Sequence, residues 1–508
     1  MDLNKLGFKE KGKKNNGRPA YPPSALLKLY IYGYLNRVRS SRRLEREACT
    51  NVEAMWLLRG LRPCYKTIAD FRKEHVDVFK KVFNEFNLFL RGEGLLSGDT
   101  VATDGTKIRA QNSKKNNYTE KKIKQHQDYI GKQINSCLKE MEELDKGESN
   151  SEIHHEQSIE LAAKLDQLCK RKEKYEELEE KMKVAHEQGQ TQISTSDPDA
   201  RALPKKMNIV EVGYNAVVTA EADNKLLTNY EIRNTHDTYA LSEAGIAARE
   251  ALGKKEGEEI KQLADKGFDT GSELKKCAEN NISTYVSPKK RVHAKKDKRF
   301  NKDQFVYDKK KDVYICPEGE ELSSNGKWYH KNNGKLRQAY KVKHYKSSYA
   351  ICKACPHRME CAGKANLDRS KGRYIERSEY QEYVDDNIER VKLNKELYRK
   401  RQQIIEHPFG TIKRQWGYDY TLLKGLEKVE GEFGIIFTCY NLRRAITIFG
   451  VQELIKRLRK SLFLKKWKIK RKIKRFADVF CGELITPRLK YLKIKSHRIN
   501  YFNSIAII

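Results

Sequence analysis

Three acids in this chain stand where they could do chemistry. Asp104 closes the short apolar run in VATDGTKIRA and is followed by Gly105. Asp265, in LADKGFD, follows an apolar segment and opens a glycine turn. Glu406, in IIEHPFGTIK, sits near the end of a helical stretch. Far apart in sequence, the three could meet at the edge of one sheet. Phosphodiester chemistry needs such a cluster: two divalent ions about 3.5–4 Å apart activate the attacking oxygen and stabilise the leaving one. Mg²⁺ takes oxygen ligands and keeps several waters. With 69 acids in the chain, three at element ends also arise by chance. The pattern alone therefore leaves Asp104 open between a turn residue and a metal ligand.

Four cysteines form a second constellation. Cys316 lies in ICPEG, and Cys352, Cys355 and Cys361 lie in CKACPHRMEC. Four thiolates satisfy a closed tetrahedral zinc site, and CxxC is a common ligand turn. The set is a candidate structural Zn²⁺ site, with His357 as a substitute ligand; the alternative is four unligated thiols. Cys49, Cys64, Cys137, Cys169, Cys277, Cys439 and Cys481 are scattered and read as core or helix-seam residues.

The elements that must position these groups follow from patterning. Residues 1–16 form a basic polar lead. Residues 17–92 carry apolar residues at helical spacing, as in LLKLYIYGYL (26–35) and TIADFRKEHVDVFKKVFNEFNLFL (67–90), and predict a helical domain rich in arginine. Strand character begins at LLSGDTVATDGTKIRAQ (95–111). Ile123, Ile130, Ile134, Cys137, Met141 and Leu144 then make a heptad seam, and Leu161, Leu165, Leu168, Tyr175 and Met182 make a second. An antiparallel helical hairpin is expected over 118–188, as a structural insertion or a dimerisation arm. Residues 209–236 alternate like two strands about an Asp223-Asn224 turn. Residues 237–252 read as helix, 260–280 as strand, loop and helix, and 282–288 as strand. A lysine-rich, cysteine-bearing insert runs over 289–370, and one long helix is expected from about 377 to 403. The order predicts a mixed α/β fold, a mixed sheet with flanking helices spanning 93–450.

A formal net charge of +34 points to a polyanionic partner, nucleic acid first, ahead of a membrane surface or a ribosomal-type structural role. Residues 456–475 hold twelve basic residues and no acid, with Trp467 interleaved, within a basic segment over 451–508. Phosphate neutralisation there would make a salt-sensitive DNA clamp. The arginine-rich helices at 37–46 are a second DNA-contact candidate. No run of eighteen apolar residues marks a membrane span, and MDLNKLGFKEKGKKNNG lacks the apolar stretch of a secretory signal. Eleven cysteines, an odd number, argue against a secreted disulfide framework. A cytoplasmic protein with reduced thiols is expected.

Several of these stretches resemble insertion-sequence transposases of the Asp-Asp-Glu class, whose catalytic fold is ribonuclease H-like. GRPAYPPSALLKLYIYGYLNRVRSSRRLEREA (17–48) and RPCYKTIADFRKEH (62–75) are similar to the helical N-terminal domain of one bacterial group in that class. TDGTKIRAQNSK (103–114) resembles its first catalytic strand, LADKGFD its second motif, and YRKRQQIIEHPFGTIKRQWG (398–417) its third. The resemblance covers about 17–450, with the motifs in order. It implies that Asp104, Asp265 and Glu406 hold two Mg²⁺ (or Mn²⁺) ions. The wider group carries a Tyr-Arg-Glu-Lys signature, which Tyr398, Arg401, Glu406 and Lys413 fit, implying DNA-phosphate positioning by Tyr398, Arg401 and Lys413. Six residues separate Glu406 from Lys413, as the pattern has it. Four separate Arg401 from Glu406, where the pattern has three.

The resemblance further implies cleavage at double-stranded element ends, the terminal inverted repeats, and joining of 3′-hydroxyls to target DNA. Two ends must be cut together, so a homodimer on DNA is expected, in a bacterial, nucleoid-associated setting with no membrane partner. A catalytically decayed DNA-binding relative and a nuclease without strand transfer are the alternatives. Among neighbouring residues, Asp269 is an alternative to Asp265. Asp99 reads as a strand-edge residue, His407 as a packing or hydrogen-bonding group, and Trp416 as a core aromatic with base stacking as its other reading.

Overall fold

The structure, a computed structural model, describes residues 2–8, 19–146, 152–204, 210–255, 257–289, 298–331, 339–361 and 371–461. Much of the basic run over 456–475, Trp467 included, therefore lies outside the described residues, as do most of the 1–16 lead and Cys481. The chain divides into two compact units, 1–444 and 445–508. In the second, residues 451–461 are helical and Arg457 donates to Glu453 at 2.8 Å.

After one helical turn at Leu3–Leu6, the first unit carries α1 (Pro23–Leu35), α2 (Ser41–Thr50), α3 (Val52–Leu57), α4 (Tyr65–Glu74) and α5 (Val76–Gly92). Pro23 opens α1, where its missing N–H costs nothing. The Asn51 side chain caps α3 by accepting from Glu53 N and Ala54 N. Tyr30, Tyr34, Phe71 and Phe79 join one continuous core with Tyr214, Tyr418, Phe433 and Phe437 from later in the chain.

That core backs a mixed sheet: β1 (Thr100–Arg109), β2 (Val210–Glu221), β3 (Leu227–Arg233), β4 (Ile260–Ala264) and β5 (Ile282–Val286). The strand order is β3-β2-β1-β4-β5, with β2 antiparallel to β1 and β3, and with β4 and β5 parallel to β1. A short strand, Arg201–Pro204, also pairs β2. Three consecutive antiparallel strands followed by two parallel ones is the ribonuclease H-like arrangement, so the mixed α/β class and the catalytic fold expected from sequence are both present. Val101, Ala102 and Thr103 are buried, as the centre of a sheet covered on both faces requires.

Between β1 and β2 stand α6 (Glu120–Lys146) and α7 (Glu152–Glu187), which pack along their length. Ile123, Ile130, Cys137, Leu168, Tyr175, Leu178 and Met182 form a separate core between them. The connection between β3 and β4 carries α8 (Leu241–Leu252), and α9 (Gly271–Glu279) joins β4 to β5.

The cysteine-bearing insert is itself a sheet. It has five antiparallel strands, β6 (Val306–Asp308), β7 (Val313–Ile315), β8 (Glu321–Lys331), β9 (Tyr340–Lys346) and β10 (Tyr374–Ser378), in the order β10-β9-β8-β7-β6. Its own core is small: Phe305, Tyr314, Leu322, Tyr345 and Ile375. The single long helix expected from about 377 to 403 is instead two, α10 (Gln381–Leu393) and α11 (Lys395–Phe409), broken at Asn394. The second extends past the expected end and runs into a π-helical turn, Gly410–Gln415. Glu406 lies in the last turn of α11, near the end of the helix as expected, where the π-helical turn takes over. Pro408 removes one intrahelical donor just before the widened turn. A final helix, α12 (Leu426–Phe449), closes the core.

Candidate active site

The sheet register brings two of the three acids together. β1 and β4 run parallel, with Ala102 opposite Leu263 and Thr103 opposite Ala264. The next positions are Asp104, midway along β1, which runs on to Arg109 rather than closing there, and Asp265, just past the carboxyl end of β4. In open α/β sheets that end is where ligands bind. Asp265 leaves its strand by capping a tight turn, accepting from Lys266 N at 2.7 Å.

Asp104 is the electrostatic focus. Burial pushes its carboxyl up to about 6, and the nearby Asp265 and Asp237 push the same way. The Gly105 N–H, donating at 2.8 Å, and the Arg401 guanidinium oppose them. Arg401 Nη1 lies 3.5 Å from Asp104 Oδ2. In this structure Arg401 is therefore a partner of the first acid, and its side chain also lies over the Tyr398 ring at 5.9 Å.

Glu406 is exposed on α11, where it accepts from Gln402 Nε2 at 2.8 Å. Its helix is tied to β1 on both sides of it. Before it comes Arg401. After it, Lys413 Nζ donates to Thr106 Oγ1 at 2.9 Å and to the Lys107 carbonyl at 2.8 Å. Beyond the π-helical turn the chain returns to the same strand: Arg109 N donates to Asp419 O at 3.0 Å and Thr421 N to Arg109 O at 2.9 Å. Asp104 and Thr106 share one face of β1 by strand alternation, and α11 packs on β1. Glu406 is thus held on a segment stitched to the strand that carries Asp104. Tyr398 packs partly buried against the main core.

The neighbouring residues have other uses here. Asp269 accepts from Lys289 N at 2.8 Å. Asp99 sits at the opposite end of β1, bonded to Thr100 Oγ1 and Lys261 Nζ. His407 is hydrogen-bonded through Nδ1 with Tyr440 Oη at 2.9 Å. Trp416 packs against the core, edge-on to Tyr418.

Sequence reasoning missed Asp237. It opens a short turn, Asp237–Tyr239, that packs against the turn opened by Asp265. Asp237 Oδ1 lies 3.7 Å from Lys107 Nζ. A Cβ on residue 105 would stand 2.3 Å from Asp237 Oδ2, so glycine is what lets this acid approach the strand. Beside it, Asn215 is fully buried, and neither of its amide atoms finds a protein partner. The signal for Asp237 was its place in NTHDTY, after the hairpin, but one acid ahead of a helix has an ordinary capping role.

An all-oxygen donor set suits a hard divalent cation, and the repulsion gathered around Asp104 is what a cation would relieve. Among the described residues, no three or more His, Cys, Asp or Glu side chains are already closed around one point tightly enough to hold a metal ion.

The four insert cysteines also converge. Cys316, Cys352, Cys355 and Cys361 line one cavity of about 40 Å³, with Phe300, Leu322 and Arg373. Burial pushes the Cys361 thiol up, and the other three sulfurs add to this while Arg373 opposes it.

Two family models match the chain. Residues 315–446 match the model described as Transposase DDE domain, and residues 4–74 match the Transposase domain (DUF772). Glu406, Lys413 and the four cysteines fall in the first match; Asp104 and Asp265 lie between the two. Over these two stretches the chain is similar to DDE transposases. Among solved structures, one similar chain is that of the Mos1 transposase paired-end complex with left transposon end, 11% identical, with a TM-score of 0.14. That likeness covers 56% of this chain and 63% of the other. At such a score it carries no argument. No curated protein matches. Among the described residues, no helix is long and apolar enough to cross a membrane.

Proposed function

We propose that this chain cuts double-stranded DNA at the terminal inverted repeats of its own element and joins the released 3′-hydroxyls to target DNA. The observation that carries the reading is the register of parallel β1 and β4, which sets Asp104 within β1 beside Asp265 at the end of β4, next to a helix that bears Glu406 and is tied to β1. Asp104, Asp265 and Glu406 would hold two Mg²⁺ or Mn²⁺ ions. When bound, such a pair activates the attacking oxygen and stabilises the leaving one.

The chain's own groups do the rest. Arg401 balances the charge of Asp104. Lys413, anchored on Thr106 and Lys107, presents a point charge to a phosphate beside the acids. Tyr398 sits behind Arg401 and limits its swing. The formal +34 charge supplies the long-range attraction for a DNA backbone. Two ends cut in concert call for a homodimer on DNA, in the bacterial cytoplasm at the nucleoid.

The test is an assay of purified protein with DNA carrying the sequences that flank its coding region, scored separately for binding, nicking and joining. Nicking at the repeats followed by joining is the expected result. Binding alone would make the chain a decayed DNA-binding relative. Nicking without joining would make it a nuclease.

A further inference from the structure

The five-stranded insert poses a stability problem that the main fold does not solve. Its sheet runs from Val306 to Ser378 on a buried core of five residues, Phe305, Tyr314, Leu322, Tyr345 and Ile375. Modules of that size need a staple, a disulfide set or a metal, to stay ordered. Cys316 and Cys361 pack directly against this core, and Cys352 and Cys355 share their cavity. We propose that these four thiolates bind one structural Zn²⁺ that staples the insert, independently of the chemistry at Asp104.

The backbone around the sulfurs is shaped for thiolates. Cys316 opens a tight turn in which its N–H donates to the Glu320 carbonyl at 2.9 Å and the Glu320 N–H returns to Cys316 Sγ at 3.3 Å. Gly319 closes that turn at a φ of +86°, open to glycine at no steric cost. Arg373 N donates to Cys352 Sγ, also at 3.3 Å. Both amides point at sulfur and hold the two side chains on the cavity wall.

The remaining groups fit the charge. A Zn²⁺ with four thiolates carries two net negative charges. Arg373 stands beside it and fixes the walls, donating to the Cys361 carbonyl at 2.8 Å and to the Phe300 carbonyl at 3.1 Å. The cavity of about 40 Å³ has room for an ion and little else. The four cysteines line one cavity, but among the described residues no three such side chains are grouped closely enough to hold an ion, so binding would draw the turn at Cys316 and the segment of Cys352 and Cys355 inward. Loading releases the four thiol protons as four Zn–S bonds form, with no change in oxidation state.

The full chain, purified without chelator, is assayed for zinc by elemental analysis. One zinc per chain is expected. Exchange with Co²⁺ is expected to give the visible bands of a tetrahedral cobalt–thiolate site in the wild-type protein, a readout that needs no variant to fold. A Cys352→Ser, Cys355→Ser double variant loses the metal, while Cys49→Ser, an exposed thiol outside the insert, keeps it. Three results would overturn the proposal: a wild-type chain with less than about a tenth of an equivalent of zinc and no cobalt bands, full zinc in the double variant, or an iron–sulfur chromophore or disulfides at these cysteines. None bears on whether the chain cuts DNA.

Discussion

Replacing Glu432 by alanine tests how the N-terminal helices are locked to the catalytic sheet. Glu432, on α12, is fully buried, and Arg39, just ahead of α2, is 6% exposed. Arg39 Nη1 lies 3.5 Å from Glu432 Oε1. Glu432 Oε2 accepts from Leu422 N at 2.9 Å and Leu423 N at 3.1 Å. Arg39 itself sits over the rings of Tyr418 and Tyr420, 4.6 and 4.3 Å from their centroids, and donates to Tyr420 O. Glu432→Ala strands a buried guanidinium, which costs about 3–5 kcal/mol. The two aromatic contacts remain, each contributing about 0.5–2 kcal/mol, so the lower half of that range is expected. In a thermal melt followed by circular dichroism this lowers the midpoint by roughly 3–4 °C, since the unfolding entropy of a unit this large is about 0.9 kcal/mol per kelvin. An Arg39→Met, Glu432→Leu double variant removes both charges and recovers most of the loss. A single variant melting within about 1 °C of wild type, or losses that simply add in the double variant, would refute the reasoning.

Four further outcomes follow. A Cβ on Gly431 would stand 2.2 Å from the Val76 carbonyl, so Gly431→Ala forces α12 off α5 and costs about 1–3 kcal/mol by denaturant unfolding. Gly92→Ala, with nothing within 4 Å of the new carbon, leaves stability unchanged or raised. Burial, then Arg444 and Lys225, hold His407 below its ordinary value of 6.5. The unfolded chain then binds that proton first, so stability falls as pH drops through 6.5. His407→Gln should flatten that part of the stability–pH curve, and an unchanged slope would count against the assignment. Lys413→Met removes a charged donor from the site and should slow DNA cleavage on the order of 10- to 100-fold, with a smaller loss in binding; equal losses would make Lys413 a general DNA contact.

Much of the fold was legible because burial writes itself into periodicity. The seam residues Ile123, Ile130 and Cys137 are those buried between α6 and α7, and the alternation about Asp223-Asn224 is the β2–β3 hairpin. The insert's strands were not legible. β8 reads ELSSNGKWYHK and lies largely at the surface, so lysines and polar residues mask its period. The break at Asn394 was hidden as well, since KLNKEL reads as unbroken helix.

At the site, Asp104 and Asp265 could be named from their motifs, but their adjacency required the parallel pairing of β1 and β4. Arg401 was given DNA-phosphate positioning by the signature it fits; its contact with Asp104, 297 positions earlier in the chain, could not be read from the sequence. Asp237 stayed invisible because its importance depends on Gly105, the residue that leaves room for it.

The measurement that bears most directly on the central claim is cleavage of end-containing DNA by Asp104→Asn and Asp265→Asn variants in Mg²⁺. Both substitutions preserve side-chain shape while removing the charge. The account predicts that each variant binds the DNA as wild type does and that nicking and joining fall to background. Cleavage at the wild-type rate by either variant would contradict it.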